Sequence, residues 1–153
     1  MKKMILPVVM GLLMVSGQVL AQHKIIRTDK APVPIGPYSQ GVEANGMLFL
    51  AGQVGLKPDT RKLVEGGLEA EAVQTMENIK TLLATAGLDL THVVNTTIYI
   101  KDISQFGKVN EIYGRYFTGQ YPARTTVGVA DLPAGASIEI AVIAAVPAQR
   151  RKK

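Results

Sequence analysis

The chain has 153 residues, 47% of them hydrophobic and 19% charged, which suits one domain with an ample core and excludes a disordered or low-complexity protein. It has no cysteine, which excludes disulfides, cysteine nucleophiles and thiolate metal sites. Its formal net charge of +5 comes largely from Lys2-Lys3 and Arg150-Arg151-Lys152-Lys153, a pattern of solvated ends rather than of a nucleic-acid-binding face.

Residues 1–21 read as a secretory signal peptide. Lys2 and Lys3 precede an apolar run from Met4 to Val15, broken at Pro7 and Gly11, and Val19-Leu20-Ala21 places small residues where a signal peptidase cuts. The run is short for a membrane span, and an uncleaved anchor is the alternative. Cleavage after Ala21 leaves a mature domain, 22–153, in the periplasm or secreted, with no stable membrane insertion. Loss of the two lysines lowers its net charge to +3.

Ile25 to Thr28 is a candidate short strand. Ala31-Pro32-Val33-Pro34-Ile35-Gly36-Pro37 holds too much proline for regular structure and reads as an extended loop. Tyr38 to Glu43 and Met47 to Gln53 flank Ala44-Asn45-Gly46, and Asn-Gly between strand-like runs predicts a hairpin. Gly55 to Gly67 is a surface loop with a turn at Lys57-Pro58-Asp59-Thr60. Leu68 to Ala86 is the clearest helix: Leu68, Ala72, Met76, Ile79, Leu82, Leu83 and Ala86 make one stripe, and Gly87 is placed to end it.

Val93 to Ile100 is rich in β-branched residues and predicts a strand. Asp102 followed by Gln105 resembles a capping box for a second helix. Along that helix Ile103, Phe106, Val109 or Asn110, Tyr113 and Phe117 face one way. Ala123 to Ala130 and Ile138 to Val146 are the last strands, read as a hairpin around Leu132-Pro133-Ala134-Gly135. The order ββαβαββ predicts an α+β domain, a sheet with two helices on one face. The final strand is apolar on both sides except at Glu139, so a second subunit is expected on the open face.

Two charges stand out. Arg124 lies at the start of a strand-like run, and its planar fork fits a small carboxylate; the alternatives are a strand-edge arginine paired with an acid, or one reaching to water. Glu139 sits inside the last strand, where a carboxylate must be paired or protonated. A symmetric final hairpin would put Arg124 opposite Ile143 and Glu139 roughly 13 Å further along the same face; a one-residue change of register would put them on opposite faces. Tyr38 follows a stiff Gly36-Pro37 turn. Asn110 interrupts an apolar helix face, so its amide needs a partner or a pocket. His23 and His92 lack metal-ligand spacing, and no phosphate loop, dinucleotide fingerprint or nucleophile elbow is present.

Six segments together resemble the RidA (YjgF) family of reactive-intermediate deaminases. They are Ala31 to Gly41, Gly52-Gln53, Gln74 to Ile79, Val109 to Tyr113, Pro122 to Thr125 and Ile138 to Ile140, in the family's order. The resemblance implies a chorismate-mutase-like fold and a homotrimer whose sheets form a central barrel with three inter-subunit clefts. It implies hydrolysis of enamines and imines of amino acids to 2-oxo acids and ammonia, with no cofactor; some relatives are described as ribonucleases, but export and the absence of a basic face argue against a nucleic-acid partner here. Arg124 would hold the substrate carboxylate and Glu139 would orient or activate water. Tyr38, Ala51, Gly52, Asn110 and Thr126 match cleft positions. Ala51 stands where many relatives carry serine, and Thr126 where many carry cysteine. The alternative is a trimeric carboxylate-binding protein that uses the same clefts without turnover.

Overall fold

The computed structural model describes residues 23–148. The expected signal peptide and the basic C-terminal run lie outside the described residues. Six strands form one mixed sheet: β1 (Lys24–Ile26), β2 (Gly41–Ala44), β3 (Met47–Leu50), β4 (Val93–Ile100), β5 (Ala123–Gly128) and β6 (Ile138–Ala145). Their order is β1-β2-β3-β6-β4-β5, and only β4 and β5 run parallel. Helices α1 (Gly67–Thr85) and α2 (Phe106–Gly114) complete the α+β fold that the periodicity predicts.

The local signals act as their chemistry requires. Asn45 and Gly46 both have positive φ, 51° and 77°, the turn that lets β2 and β3 pair without splaying. All seven apolar stripe residues of the first helix are buried, and Ile79, Leu82 and Leu83 are sealed from solvent. Truncating one of these to alanine would cost about 2–5 kcal/mol. Gly87, at φ 67°, ends α1: its N–H reaches the Ala84 carbonyl, and the Leu88 N–H reaches the Leu83 carbonyl. Before α2, Asp102 accepts from Ser104 N at 3.0 Å. Gln105 bonds the Asp102 side chain rather than its backbone, so the expected capping box is incomplete. A reciprocal box forms instead at Asp89 and His92, just before β4.

The final hairpin is not present. β5 and β6 flank β4, which pairs with both. The 129–137 connection crosses the end of β4, held by Val129 N to Ile100 O and Lys101 N to Ser137 O. Parallel pairing leaves β5 as an edge strand. Arg124 is therefore in register with Thr96 rather than opposite Ile143.

β6 is also less two-sided than its composition suggests. Ile138, Ile140, Val142 and Ala144 are buried, while Glu139, Ala141, Ile143 and Ala145 are half-buried on the other face. Ile25, Val42, Phe49 and Ile143 form one cross-strand row on that open face. Ile25 and Phe49 are exposed there, as is Val127 near its other edge.

Candidate functional site

Strand pairing decides where the two anomalous charges point. Arg124 pairs with Thr96, and Thr96 pairs with Val142. Thr96 and Val142 are buried beneath the helices, so Arg124 shares the helix-covered face. Glu139 pairs with Tyr99, an odd number of residues further along β4, and so projects from the opposite face. The shared face that a hairpin would have given is overturned.

On the helix-covered face, Arg124 Nη2 donates to Asn110 Oδ1 at 2.6 Å. The guanidinium carbon lies 5.0 Å from the Tyr113 ring centroid and 5.5 Å from that of Phe106. Tyr113 is itself fixed by donating to Thr96 Oγ1 at 2.9 Å. Burial pushes the Tyr113 phenol up, against the opposing pull of that bond and of the Arg124 charge. Arg124 therefore has an amide and two rings around it and, among the described residues, no ion pair. Its fork retains N–H groups for a carboxylate. Asn110, Tyr113, Tyr121 and Arg124 line an open cavity of about 470 Å³. Thr126 lies two residues beyond Arg124 on the same face, and its Oγ1 is buried without a hydrogen-bond partner among the described residues.

Tyr38, Ala51, Gly52 and Glu139 line a second cavity, of about 300 Å³. Most of its wall is apolar, from Val33, Ile35, Leu56 and Pro133 among others. Burial raises the Glu139 carboxyl above its usual range. Gly52 leaves the Glu139 carboxyl its present place. A Cβ at that position would overlap Glu139 Oε1 and lie 2.7 Å from its Cδ. A bulge creates the approach: Phe49 pairs with Ile143 and Gln53 with Ile140, so four steps on one side match three on the other. Tyr38 is half-exposed, and its hydroxyl accepts from Ile35 N at 3.4 Å.

Polar groups of α1 hold this second cavity from behind. Asn78 donates to the carbonyls of Val54 and Leu56. Buried Glu71 accepts from Ser137 N at 2.6 Å and Ser137 Oγ at 2.9 Å, fixing the segment that leads into Glu139. The readable signal for both is polarity among buried neighbours on a helix, the same signal that singles out Asn110. Tyr113 and Phe106 were legible only as apolar-face residues. Among the described residues no cluster of three or more His, Asp and Glu could hold a metal, and no helix is long and apolar enough to cross a membrane.

The predicted site residues thus fall into two groups, Arg124, Asn110 and Thr126 in one, Glu139, Tyr38, Ala51 and Gly52 in the other. Comparison with known proteins gives the following. Residues 28–146 match the model of a family described as Endoribonuclease L-PSP. Protein DfrA of Myxococcus xanthus is 52% identical over 124 residues, covering 80% of this chain and 95% of that protein. The mouse 2-iminobutanoate/2-iminopropanoate deaminase is 48% identical over 122 residues, 80% of this chain and 90% of that protein. The crystal structure of RidA from an Antarctic Psychrobacter superposes with a TM-score of 0.78 at 40% identity, covering 80% and 99% of the two chains.

Proposed function

We propose that this chain, which belongs to the Endoribonuclease L-PSP family, hydrolyses 2-imino and 2-enamino acids to 2-oxo acids and ammonia in clefts built by neighbouring copies of itself. The observation that carries the reading is the division of the site. A held arginine fork and a half-buried carboxylate, each beside its own cavity, point from opposite faces of one sheet. A second copy can bring the Arg124 group of one chain to the Glu139 group of the next. The exposed Ile25 and Phe49 on the open face give a homotrimer apolar surface to bury. The identity to mammalian proteins named for this deamination supports the same chemistry.

In the cleft, Arg124 would hold the 2-carboxylate through paired N–H bonds, and Asn110 would keep the guanidinium from turning. Glu139 would take a proton from water as the oxygen bonds to C2 and the C=N π pair moves to nitrogen. Glu139 returns that proton to the nitrogen to give the carbinolamine, whose C–N bond breaks once solvent donates a second proton to the amine. Ammonia leaves, the hydroxyl proton is released and the 2-oxo acid remains. An enamine enters the same sequence after protonation at C3. The apolar wall beside Glu139 would receive the substrate side chain. The small cavity suits a single amino-acid-derived molecule better than an RNA strand.

The signal-like residues 1–21 support export, and the proposed reaction is then periplasmic or extracellular. Mass spectrometry of the mature chain should then find Gln22 at its N-terminus. The activity is tested by generating 2-iminobutanoate or 2-iminopropanoate with an amino-acid oxidase and following its decay. Acceleration by the mature protein supports the enzyme. Saturable 2-oxo-acid binding without acceleration would make it a carboxylate-binding trimer.

A further inference from the structure

A third cavity, of about 380 Å³, lies across Tyr38 and Val33 from the one that holds Glu139, and these two residues line both. Its wall includes Arg27, Arg61 and Ser39. Neither arginine is in an ion pair or a side-chain hydrogen bond among the described residues, and the Ser39 hydroxyl is likewise uncommitted there. The Tyr38 hydroxyl accepts from Ile35 N, which leaves its own proton available to donate.

The backbone supplies an independent observation. Arg61 has φ 57°, the left-handed region that side chains with a Cβ rarely adopt. It sits in the turn closed by the Leu56–Leu63 bridge, by Lys57 N to Lys62 O and by Arg61 N to Lys57 O. Glycine or asparagine would fit that turn more easily. Arg27 and Arg61 are both exposed, and the strained backbone sets Arg61 in the cavity wall, the kind of strain that clusters at ligand clamps. Arg27, just after β1, lines the same cavity.

We propose that Arg27 and Arg61, with the hydroxyls of Ser39 and Tyr38, form a second binding site for a small oxyanion, distinct from the Arg124 clamp. Two guanidinium groups and two hydroxyl donors suit a ligand with several anionic oxygens, a carboxylate or a phosphate. Because Tyr38 walls both cavities, a bound anion sits one side chain from Glu139. The proposal concerns binding alone and does not rest on the deaminase reading.

The test uses the mature, isotope-labelled protein at low salt in a buffer without phosphate. Backbone amide shifts are followed while 2-oxobutanoate, and separately inorganic phosphate, is added. Saturable shifts are expected at Arg27, Ser39 and Arg61, with a Kd on the order of 1 mM. They should persist in Arg124→Gln, whose clamp is lost. They should weaken about tenfold or more in Arg27→Gln and in Arg61→Gly. The latter variant matters because glycine fits the left-handed turn, so lost binding cannot be assigned to a damaged fold. Tighter 2-oxobutanoate binding makes the site a carboxylate site, and tighter phosphate binding a phosphate site. Unchanged binding in Arg61→Gly, a response confined to the Arg124 region, no saturation, or an oligoribonucleotide bound more tightly than either small anion would overturn the proposal.

Discussion

Arg124 and Glu139 project from opposite faces of one sheet, three residues apart along the ladder of β4 and separated by that strand. They are roughly 10 Å apart along the strands and roughly 10 Å across them. No side-chain rotation within one chain brings them to one small substrate. Arg124→Ala and Glu139→Gln should therefore each be inactive alone and active when mixed. Random co-assembly of equal amounts into trimers leaves about a quarter of the clefts with both native groups. Recovery of about that share of the parent's rate after joint unfolding and refolding is the expected result. No recovery, with mixed trimers demonstrated by mass spectrometry, would place both groups in the same chain's site.

The Arg124–Asn110 bond at 2.6 Å makes a second set of variants informative. Arg124→Lys keeps the charge but not the fork, and kcat/KM should fall about ten- to a hundredfold, the worth of a charge-assisted pair. Asn110→Ala frees the guanidinium to turn and should raise KM more than it lowers kcat. Asn110→Asp should be worse than alanine, because the new carboxylate would occupy Arg124 in place of the substrate. A variant at 110 that lowers only the melting temperature would give Asn110 a purely structural role.

Much of the fold was legible because local chemistry and periodicity agreed. The Asn45-Gly46 turn, the stripe from Leu68 to Ala86, the Gly87 stop and the bounds of β4 all follow from residues close in sequence. The partner of β5 was not legible, since Leu132-Pro133-Ala134-Gly135 looks the same in a tight hairpin and in a connection across a strand end. That one ambiguity decided which face Arg124 occupies. The site types were readable because Arg124, Glu139 and Asn110 are polar where their neighbours are not. The bulge that aims Gly52 at Glu139 was hidden, because it depends on register between segments some ninety residues apart.

Burial raises the Glu139 carboxyl above its ordinary 4.5. Between the ordinary and the raised value, the folded protein holds a proton that the unfolded chain has released. Stability attributable to this group therefore falls as pH rises through that window and stays lower above it. Glu139→Gln removes the penalty. Denaturant midpoints of parent and variant should converge below the window, and the variant should gain above it. If the carboxylate is the base, the parent's rate should rise with pH through the raised value, and the glutamine variant should lack that limb. A parent profile flat across the acid range would remove Glu139 from the proton transfer.

Two glycines separate a functional contact from a structural one. At Gly52, an added Cβ meets the end of the Glu139 side chain, which can swing aside. Gly52→Ala should therefore change stability by less than about 1 kcal/mol. The displaced carboxylate should nevertheless lower turnover roughly a hundredfold, since a reacting group moved by about 1 Å loses its alignment. At Gly55, an added Cβ would lie 2.6 Å from Glu71 Cα, part of a helix backbone that cannot yield in the same way. Gly55→Ala should cost about 1–3 kcal/mol through overpacking. It would also pull Glu71 from Ser137, which leads into β6 two residues before Glu139. Melting temperature and imine hydrolysis measured on both variants should diverge: one stable and slow, the other unstable, with activity in proportion to the folded fraction. A Gly52→Ala protein that is both stable and fully active would show that the position of the Glu139 carboxylate does not matter to the reaction.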